Sequence, residues 1–328
     1  MDNRLYVCSS PHLRDNCTTT KIMLDVIIAL LPAVVAGIWF FGYRAAVVIL
    51  VTVITAVAAE YLMRKGLKRD NTISDLSAVV TGLLLALNLP PAIPLWIAAV
   101  GAVIAIVIVK QLFGGLGQNF MNPALGARAI LVAAWASSMT TWTQPFGETV
   151  TTTATATPAA DAVASATPLA ALKEGIYGIY SYGDLFWGNI AGCIGETSAF
   201  AILLGFVYLL VKGVISWHIP VIFTATTAVM TWMLGPDGMF TGDPLYHVLS
   251  GGLLLGAVFM ATDYVTCPVT KTGAAIYAFG CGLLTALFRL YGSMPEGVSF
   301  AIILMNVVTP LIDRHTIPAS FGGERNVG

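Results

Sequence analysis

Residues 23–40, MLDVIIALLPAVVAGIWF, are the stretch that decides the class of fold. They are apolar apart from Asp25, which is the sole charged residue among them. A helix rises about 1.5 Å per residue, so about 20 residues of this kind cross a hydrocarbon layer of roughly 30 Å. The stretch therefore predicts a transmembrane helix.

The composition extends this prediction to the whole chain. Of 328 residues, 57% are hydrophobic and only 10% are charged, whereas soluble globular proteins carry about 25% charged residues. So few charges cannot cover a water-exposed surface, which argues against a soluble enzyme or a disordered protein. The net charge of -1 provides no general attraction to nucleic acid. The sequence predicts an all-α polytopic membrane protein.

Apolar stretches bounded by turn or charged residues predict about ten transmembrane helices. Several are short for a bilayer, so broken or re-entrant pieces are expected. The predicted spans are 23–40, 45–62, 76–89, 95–112, 123–135, 196–214, 220–234, 248–262, 274–290 and 298–312.

The basic residues predict the orientation. If the N-terminus is cytoplasmic, the opposite side holds only Arg44, Lys173 and Arg289, and most other Lys and Arg residues lie in cytoplasmic segments. Both termini are then cytoplasmic, which requires an even number of spans. The polar segment 137–183, rich in Thr and Ala, is predicted to be an external loop.

That loop divides the chain into residues 1–136 and 184–328, each with five predicted spans. Residues 80–85, VTGLLL, resemble residues 249–255, LSGGLLL. Five spans in each group give opposite orientations, as in inverted-topology repeats of transporters. Chance similarity between helices rich in Gly and Leu is the alternative.

A polar, glycine-rich segment joins the fourth and fifth predicted spans: residues 114–124, GGLGQNFMNPA. Its glycines allow a bulky ligand to approach the backbone closely. Asn119 and Asn122 are three residues apart and could face one ligand. A tight turn with capping amides explains the same residues, and the pattern does not distinguish the two.

A second candidate segment is Gly195, Glu196, Thr197 and Ser198, at the predicted start of the sixth span. A helix N-terminus has unpaired N–H groups and a positive dipole end, which suit a phosphate group. Thr and Ser are also ordinary N-cap residues, and on the residues alone the cap is the simpler interpretation.

Ionisable side chains inside membrane spans are costly, and they mark functional sites or structural pairs. Asp25, Asp75 and Asp263 are the candidates for an ion path. The same cost applies to Glu60, Arg128 and Arg289. The five cysteines form no CxxC pair and the four histidines are widely separated, so no metal site is predicted.

Several long motifs, in order along nearly the whole chain, carry a family resemblance. The chain resembles the family that contains the D subunit of the Rnf complex and the B subunit of the Na⁺-translocating NADH:quinone reductase. The motifs are residues 9–12, 22–25, 75–91, 110–124, 195–199, 259–264 and 291–299.

The resemblance implies a flavoprotein. Family members carry FMN joined by a phosphoester bond to a Thr hydroxyl, and the matching residue is Thr197. Ser198 is the neighbouring alternative, and Gly195 and Glu196 belong to the same motif. A relative also binds riboflavin without a covalent bond, which makes Asn119 and Asn122 candidates for that cofactor.

The resemblance also implies a complex, a cellular location and partners. The chain would relay electrons in a ferredoxin:NAD⁺ oxidoreductase of the bacterial plasma (inner) membrane, coupled to Na⁺ or H⁺ translocation. Its partners would be the A, B, C, E and G subunits of the Rnf complex and the membrane lipid, with no nucleic acid. NAD and ferredoxin would bind other subunits, so no catalytic residue is assigned here. A flavin-free secondary transporter and a purely structural scaffold are the alternatives.

Overall fold

The structure is a computed structural model that describes residues 18–146, 167–173, 180–235, 238–292, 297–316 and 318. Three sequence predictions lie wholly or mainly outside the described residues: the motif at 9–12, most of the Thr/Ala-rich segment, and residues 293–296 of the last motif.

Helices make up nearly all of the first half. A 3-10 turn, Ile73–Asp75, precedes α3, and a π-helix, Ile104–Gln111, continues α4. The helices are α1 (Thr19–Phe41), α2 (Tyr43–Gly66), α3 (Ser77–Leu87), α4 (Leu95–Val103), α5 (Pro123–Ala134) and α6 (Ala136–Met139).

The second half adds one small antiparallel hairpin that the all-α prediction did not include. Its strands are β1 (Leu234–Gly235) and β2 (Gly238–Met239). The helices are α7 (Pro168–Lys173), α8 (Tyr182–Trp187), α9 (Ala199–Val211), α10 (His218–Met233), α11 (Pro244–Leu249), α12 (Leu253–Leu255) with the π-helix Gly256–Met260, α13 (Lys271–Tyr291) and α14 (Val298–Thr316).

Each of the ten predicted apolar stretches contains helix, but their lengths differ. Within the described ranges, α1, α2, α13 and α14 are long and apolar enough to cross a membrane, and α3, α5 and α9 are shorter apolar helices. The pair Pro90 and Pro91 begins three residues after the end of α3, and proline cannot continue the hydrogen-bond ladder of a helix.

The predicted span 248–262 is not one helix but a broken one, as expected for some of the short spans. Ser250 adopts an extended conformation and Gly251 has a φ of +66°, so α11 ends at Leu249 and α12 starts at Leu253. A positive φ is inexpensive only for glycine, and it breaks the helix inside an apolar run. The ten-helix inverted repeat stays a prediction.

Small residues let neighbouring helices approach each other closely, both between the two halves and within the second half. A Cβ on Gly205 of α9 would lie 2.2 Å from the carbonyl oxygen of Ala29 in α1. A Cβ on Gly282 of α13 would lie 2.8 Å from the carbonyl oxygen of Phe223 in α10. Close backbone contact of this kind replaces the hydrophobic effect as the source of helix association in lipid.

Candidate functional site

Residues 192–198, which we call the Thr197 segment, lead into α9 and are anchored to the C-terminal end of α3. The N–H groups of Ile194 and Gly195 donate to the carbonyl oxygens of Leu89 and Leu87 over 3.1 and 2.8 Å. A Cβ on Gly195 would lie 2.5 Å from the Cβ of Leu87, so the residue at 195 must be glycine. These bonds satisfy carbonyls that the helix end leaves unpaired.

The two adjacent hydroxyls of this segment have different environments. Ser198 is the N-cap of α9, and its Oγ accepts a hydrogen bond from the N–H of Ala201 over 3.3 Å. Thr197 is 1% exposed, and its Oγ1 has no hydrogen-bond partner among the described residues. The cap interpretation therefore holds for Ser198 and leaves the hydroxyl of Thr197 unexplained.

Glu196 is fixed between two glycines. Its Oε1 accepts a hydrogen bond from the N–H of Cys193 over 2.9 Å. A Cβ on Gly192 would lie 3.1 Å from Oε1, and a Cβ on Gly252 would lie 3.0 Å from Oε2. Since Gly252 lies in the break between α11 and α12, the carboxylate joins the Thr197 segment to that break.

Arg128 of α5 lies deep in the molecule and links four parts of the chain. Its Nη1 donates to Asn88 Oδ1 over 3.3 Å and to Ser299 Oγ over 2.8 Å, and its Nη2 donates to Cys193 Sγ over 3.7 Å. These partners lie just after α3, in α14 and in the Thr197 segment. The sequence predicted that this buried cation needs partners, and the partners named here are neutral.

A cavity lies between the two halves of the chain. Its apolar wall comes mainly from α1, α3, the end of α9 and the π-helix Gly256–Met260. Its main polar lining residues are Ser77, Thr81, Lys110, Asn119, Asn122 and Asp263. An apolar pocket with a few converging polar groups is the usual form of a small-molecule site.

Asn119 and Asn122, which the sequence left open as ligand contacts or capping amides, both line this cavity. Asn122 is also the N-cap of α5, because its Oδ1 accepts from the N–H of Ala124 over 3.0 Å. Asn119 Nδ2 donates to the carbonyl oxygen of Met121 over 2.9 Å. Its Oδ1 accepts no hydrogen bond from the part of the chain that the structure describes, so it is available to a ligand.

Lys110 is the functional candidate that the sequence analysis missed, because it was counted as a cytoplasmic charge. It is 2% exposed, and its Nζ donates to Glu60 Oε2 over 2.8 Å and to Ser77 Oγ over 2.6 Å. Ser77 Oγ donates to Asp75 Oδ1 over 2.6 Å, and Thr72 donates to Glu60 Oε1 over 3.0 Å. We call these five residues the Lys110 network. Glu60 inside an apolar run was its one sequence signal.

The three ion-path candidates are not brought together at one point. Asp75 lies two residues before the first residue of α3, where its Oδ1 accepts from the N–H of Ser77 over 2.8 Å, and it belongs to the Lys110 network. Asp263 lines the cavity. Asp25 instead accepts a hydrogen bond from Tyr208 Oη over 2.8 Å, between α1 and α9.

Helix α3 connects the cavity with the Thr197 segment. Its first residue, Ser77, contacts Lys110, and the carbonyl of its last residue, Leu87, accepts from Gly195. The helix has 11 residues, which corresponds to about 16 Å at the usual helical rise. The cavity therefore borders α3 from Ser77 to Leu84, and the segment with Thr197 contacts the C-terminal end of the same helix.

In the part of the chain that the structure describes, four helices are long enough to cross a membrane. Together with the shorter apolar helices and the buried charged groups between them, they define a multi-pass membrane protein. Comparison with known proteins then identifies the family. The chain belongs to the NQR2, RnfD, RnfE family, whose profile matches residues 6–322.

The alignments with curated relatives extend over nearly the whole chain. It is 51% identical over 322 residues to the D subunit of the Na⁺-translocating ferredoxin:NAD⁺ oxidoreductase complex of Acetobacterium woodii, covering 97% of this chain and 95% of the relative. It is 45% identical over 333 residues to the D subunit of the proton-translocating complex of Clostridium ljungdahlii, covering 98% of each. It is 40% identical over 327 residues to the D subunit of an ion-translocating oxidoreductase complex of Stutzerimonas stutzeri, covering 92% of each.

Proposed function

We propose that this chain is the D-type membrane subunit of an ion-translocating ferredoxin:NAD⁺ oxidoreductase and that it relays electrons through bound flavin. Membership of the family and the full-length similarity to three D subunits support the place in such a complex. The observation that carries the flavin role is the buried hydroxyl of Thr197, which has no hydrogen-bond partner among the described residues.

Thr197 is the proposed attachment residue for FMN. A phosphoester needs a hydroxyl that is not already held by the fold, and Thr197 meets this condition whereas Ser198 is engaged in capping α9. The start of α9 is suited to a phosphate, because first-turn N–H groups and the helix dipole favour anions. When bound, FMN would supply the electron transfer, and the chain would hold its attachment point through Gly195 and Glu196.

The cavity is the proposed site for a second, non-covalent flavin, riboflavin. The apolar wall suits a planar ring, and the Oδ1 of Asn119 is available to accept a hydrogen bond from it. Asn122 would contribute through its position at the start of α5. With FMN at Thr197, both flavins would lie along α3, one beside its N-terminal part and one at its C-terminal end.

The coupled ion is Na⁺ or H⁺ in this proposal. The similarity does not distinguish the two, because relatives at 51% and 45% identity are named for different ions. Asp75 and Asp263 are the proposed path residues beside the cavity, and Asp25 is the third candidate. The setting would be the bacterial plasma membrane, with both termini cytoplasmic and the other Rnf subunits as partners.

Membrane vesicles test this function. We expect vesicles from a strain that lacks this chain to lose ferredoxin-dependent NAD⁺ reduction. The full-length chain should restore this reaction together with uptake of the coupled ion, either Na⁺ or H⁺. The measurement follows NADH formation by absorbance with Na⁺ present or replaced by K⁺. Unchanged NADH formation without the chain would contradict the proposal. Ion transport by the purified, flavin-free chain in liposomes would instead support the transporter alternative.

A further inference from the structure

The Lys110 network carries an inference that deepens the proposed function and rests on it. We infer that Lys110 contacts the flavin bound in the cavity and, through its positive charge, favours the reduced form of that flavin. Nothing in the sequence pattern marked Lys110 for this role. It follows from the position of Lys110 in the cavity wall and from the two hydrogen bonds that hold its ammonium group.

Lys110 has one donor available for a ligand. An ammonium group has three N–H donors, and two of them are used by Glu60 Oε2 and Ser77 Oγ. No further acceptor for Nζ is found within the described ranges. Because Lys110 lines the cavity, a bound molecule can approach the ammonium without displacing either partner.

The counter-charge holds the ammonium rigidly in place. Glu60 is 1% exposed, and each of its oxygens accepts a hydrogen bond, one from Lys110 and one from Thr72. On the other side, Asp75 orients Ser77. A buried ion pair contributes little more to stability than apolar residues of the same volume, so its position in a cavity wall calls for a role beyond folding.

The lining of the cavity matches the chemistry of a flavin ring. The pyrimidine edge of an isoalloxazine presents two carbonyl acceptors on either side of an N–H donor. Lys110 supplies a charged donor, and Asn119 Oδ1 and the carboxylate of Asp263 supply acceptors in the same cavity. Lys110 can donate to one of the ring carbonyls, and Asn119 Oδ1 can accept from the N–H between the two carbonyls.

The positive charge of Lys110 determines which redox form of the flavin is favoured. Two-electron reduction by the donor side of the complex, with uptake of one proton from water, would give the ring one net negative charge and increase the negative charge on the ring carbonyls. A fixed positive charge stabilises that form more than the oxidised one, because Coulomb attraction is strong where water is excluded. Lys110 makes and breaks no covalent bond in this role, and its proton stays on Nζ.

A redox titration of riboflavin on the purified full-length chain tests the inference. The Thr197→Ala background removes the absorbance of FMN, and the chain is loaded with added riboflavin. In the Glu60→Gln/Lys110→Met double variant, which removes both members of the ion pair, we expect affinity for reduced riboflavin relative to oxidised riboflavin to fall about tenfold, or roughly 30 mV for a two-electron couple. Glu60→Gln alone should shift the potential upward.

Matched controls separate this role from a structural one. Lys65→Met removes an exposed lysine near the end of α2 and should leave the potential unchanged, as should Lys110→Arg, which keeps the charge. If the double variant does not accumulate, the upward shift of the riboflavin potential expected in Glu60→Gln still tests the inference. Riboflavin that binds with the same potential in these variants would overturn the inference and leave the proposed function standing. A chain that binds no riboflavin would overturn the inference and the riboflavin proposal together.

Discussion

Thr197→Ala is expected to remove covalently bound FMN from this chain completely. The change deletes the hydroxyl that we assign to the phosphoester and leaves no group of equal reactivity at that position. Since Thr197 Oγ1 makes no hydrogen bond to the described residues, its loss should not disturb the fold. The measurement is flavin fluorescence of the denatured chain in a gel, which detects only covalently attached cofactor.

Ser198→Ala is the matched control for this prediction. It removes a neighbouring hydroxyl that caps α9, so it should keep the fluorescence and cost about 1 kcal/mol of stability through the lost cap. Full fluorescence in Thr197→Ala with none in Ser198→Ala would show that the attachment residue is Ser198. Fluorescence in both single variants would place the attachment elsewhere in the chain.

Arg128→Leu is expected to destabilise the protein by about 3 kcal/mol or more. The guanidinium joins Asn88, Ser299 and Cys193, and hydrogen bonds to a charged donor contribute about 1.5–3 kcal/mol each. Leucine would leave these polar groups facing one another in an apolar interior. The measurement is the free energy of unfolding of the detergent-solubilised chain, followed by tryptophan fluorescence in denaturant.

Arg44→Leu provides the comparison for Arg128. Arg44 is exposed and makes one hydrogen bond, to the carbonyl oxygen of Ile93 over 3.3 Å, so its loss should cost less than about 0.5 kcal/mol. If the two variants were equally stable, Arg128 would not hold the halves together, and the contacts around the Thr197 segment would have to be explained differently.

Local features of the sequence were enough to predict most of the helices. Apolar runs and the boundaries set by Pro90, Pro91 and Pro123 act within a few residues, so α1, α2 and α5 could be placed from the pattern. The break at Gly251 could not, because Leu and Gly in an apolar run are compatible with a continuous helix until neighbouring elements pack against it.

The candidate sites were predictable to a similar extent. The spacing of Asn119 and Asn122 allowed a shared ligand or a capped turn, and the structure places both side chains in the cavity lining, with Asn122 also capping α5. The ion pair between Lys110 and Glu60 joins residues 50 positions apart, and Arg128 reaches partners 40, 65 and 171 positions away. Pairings at such separations depend on the tertiary fold, and no periodicity in one sequence records them.

The mass of the purified wild-type chain tests the central claim most directly. If this subunit carries FMN on Thr197, intact-protein mass spectrometry should find the chain heavier than its sequence by one FMN less one water, and fragmentation should assign the increase to the peptide that contains Thr197. A chain that is purified from its own complex with the unmodified mass would contradict the account.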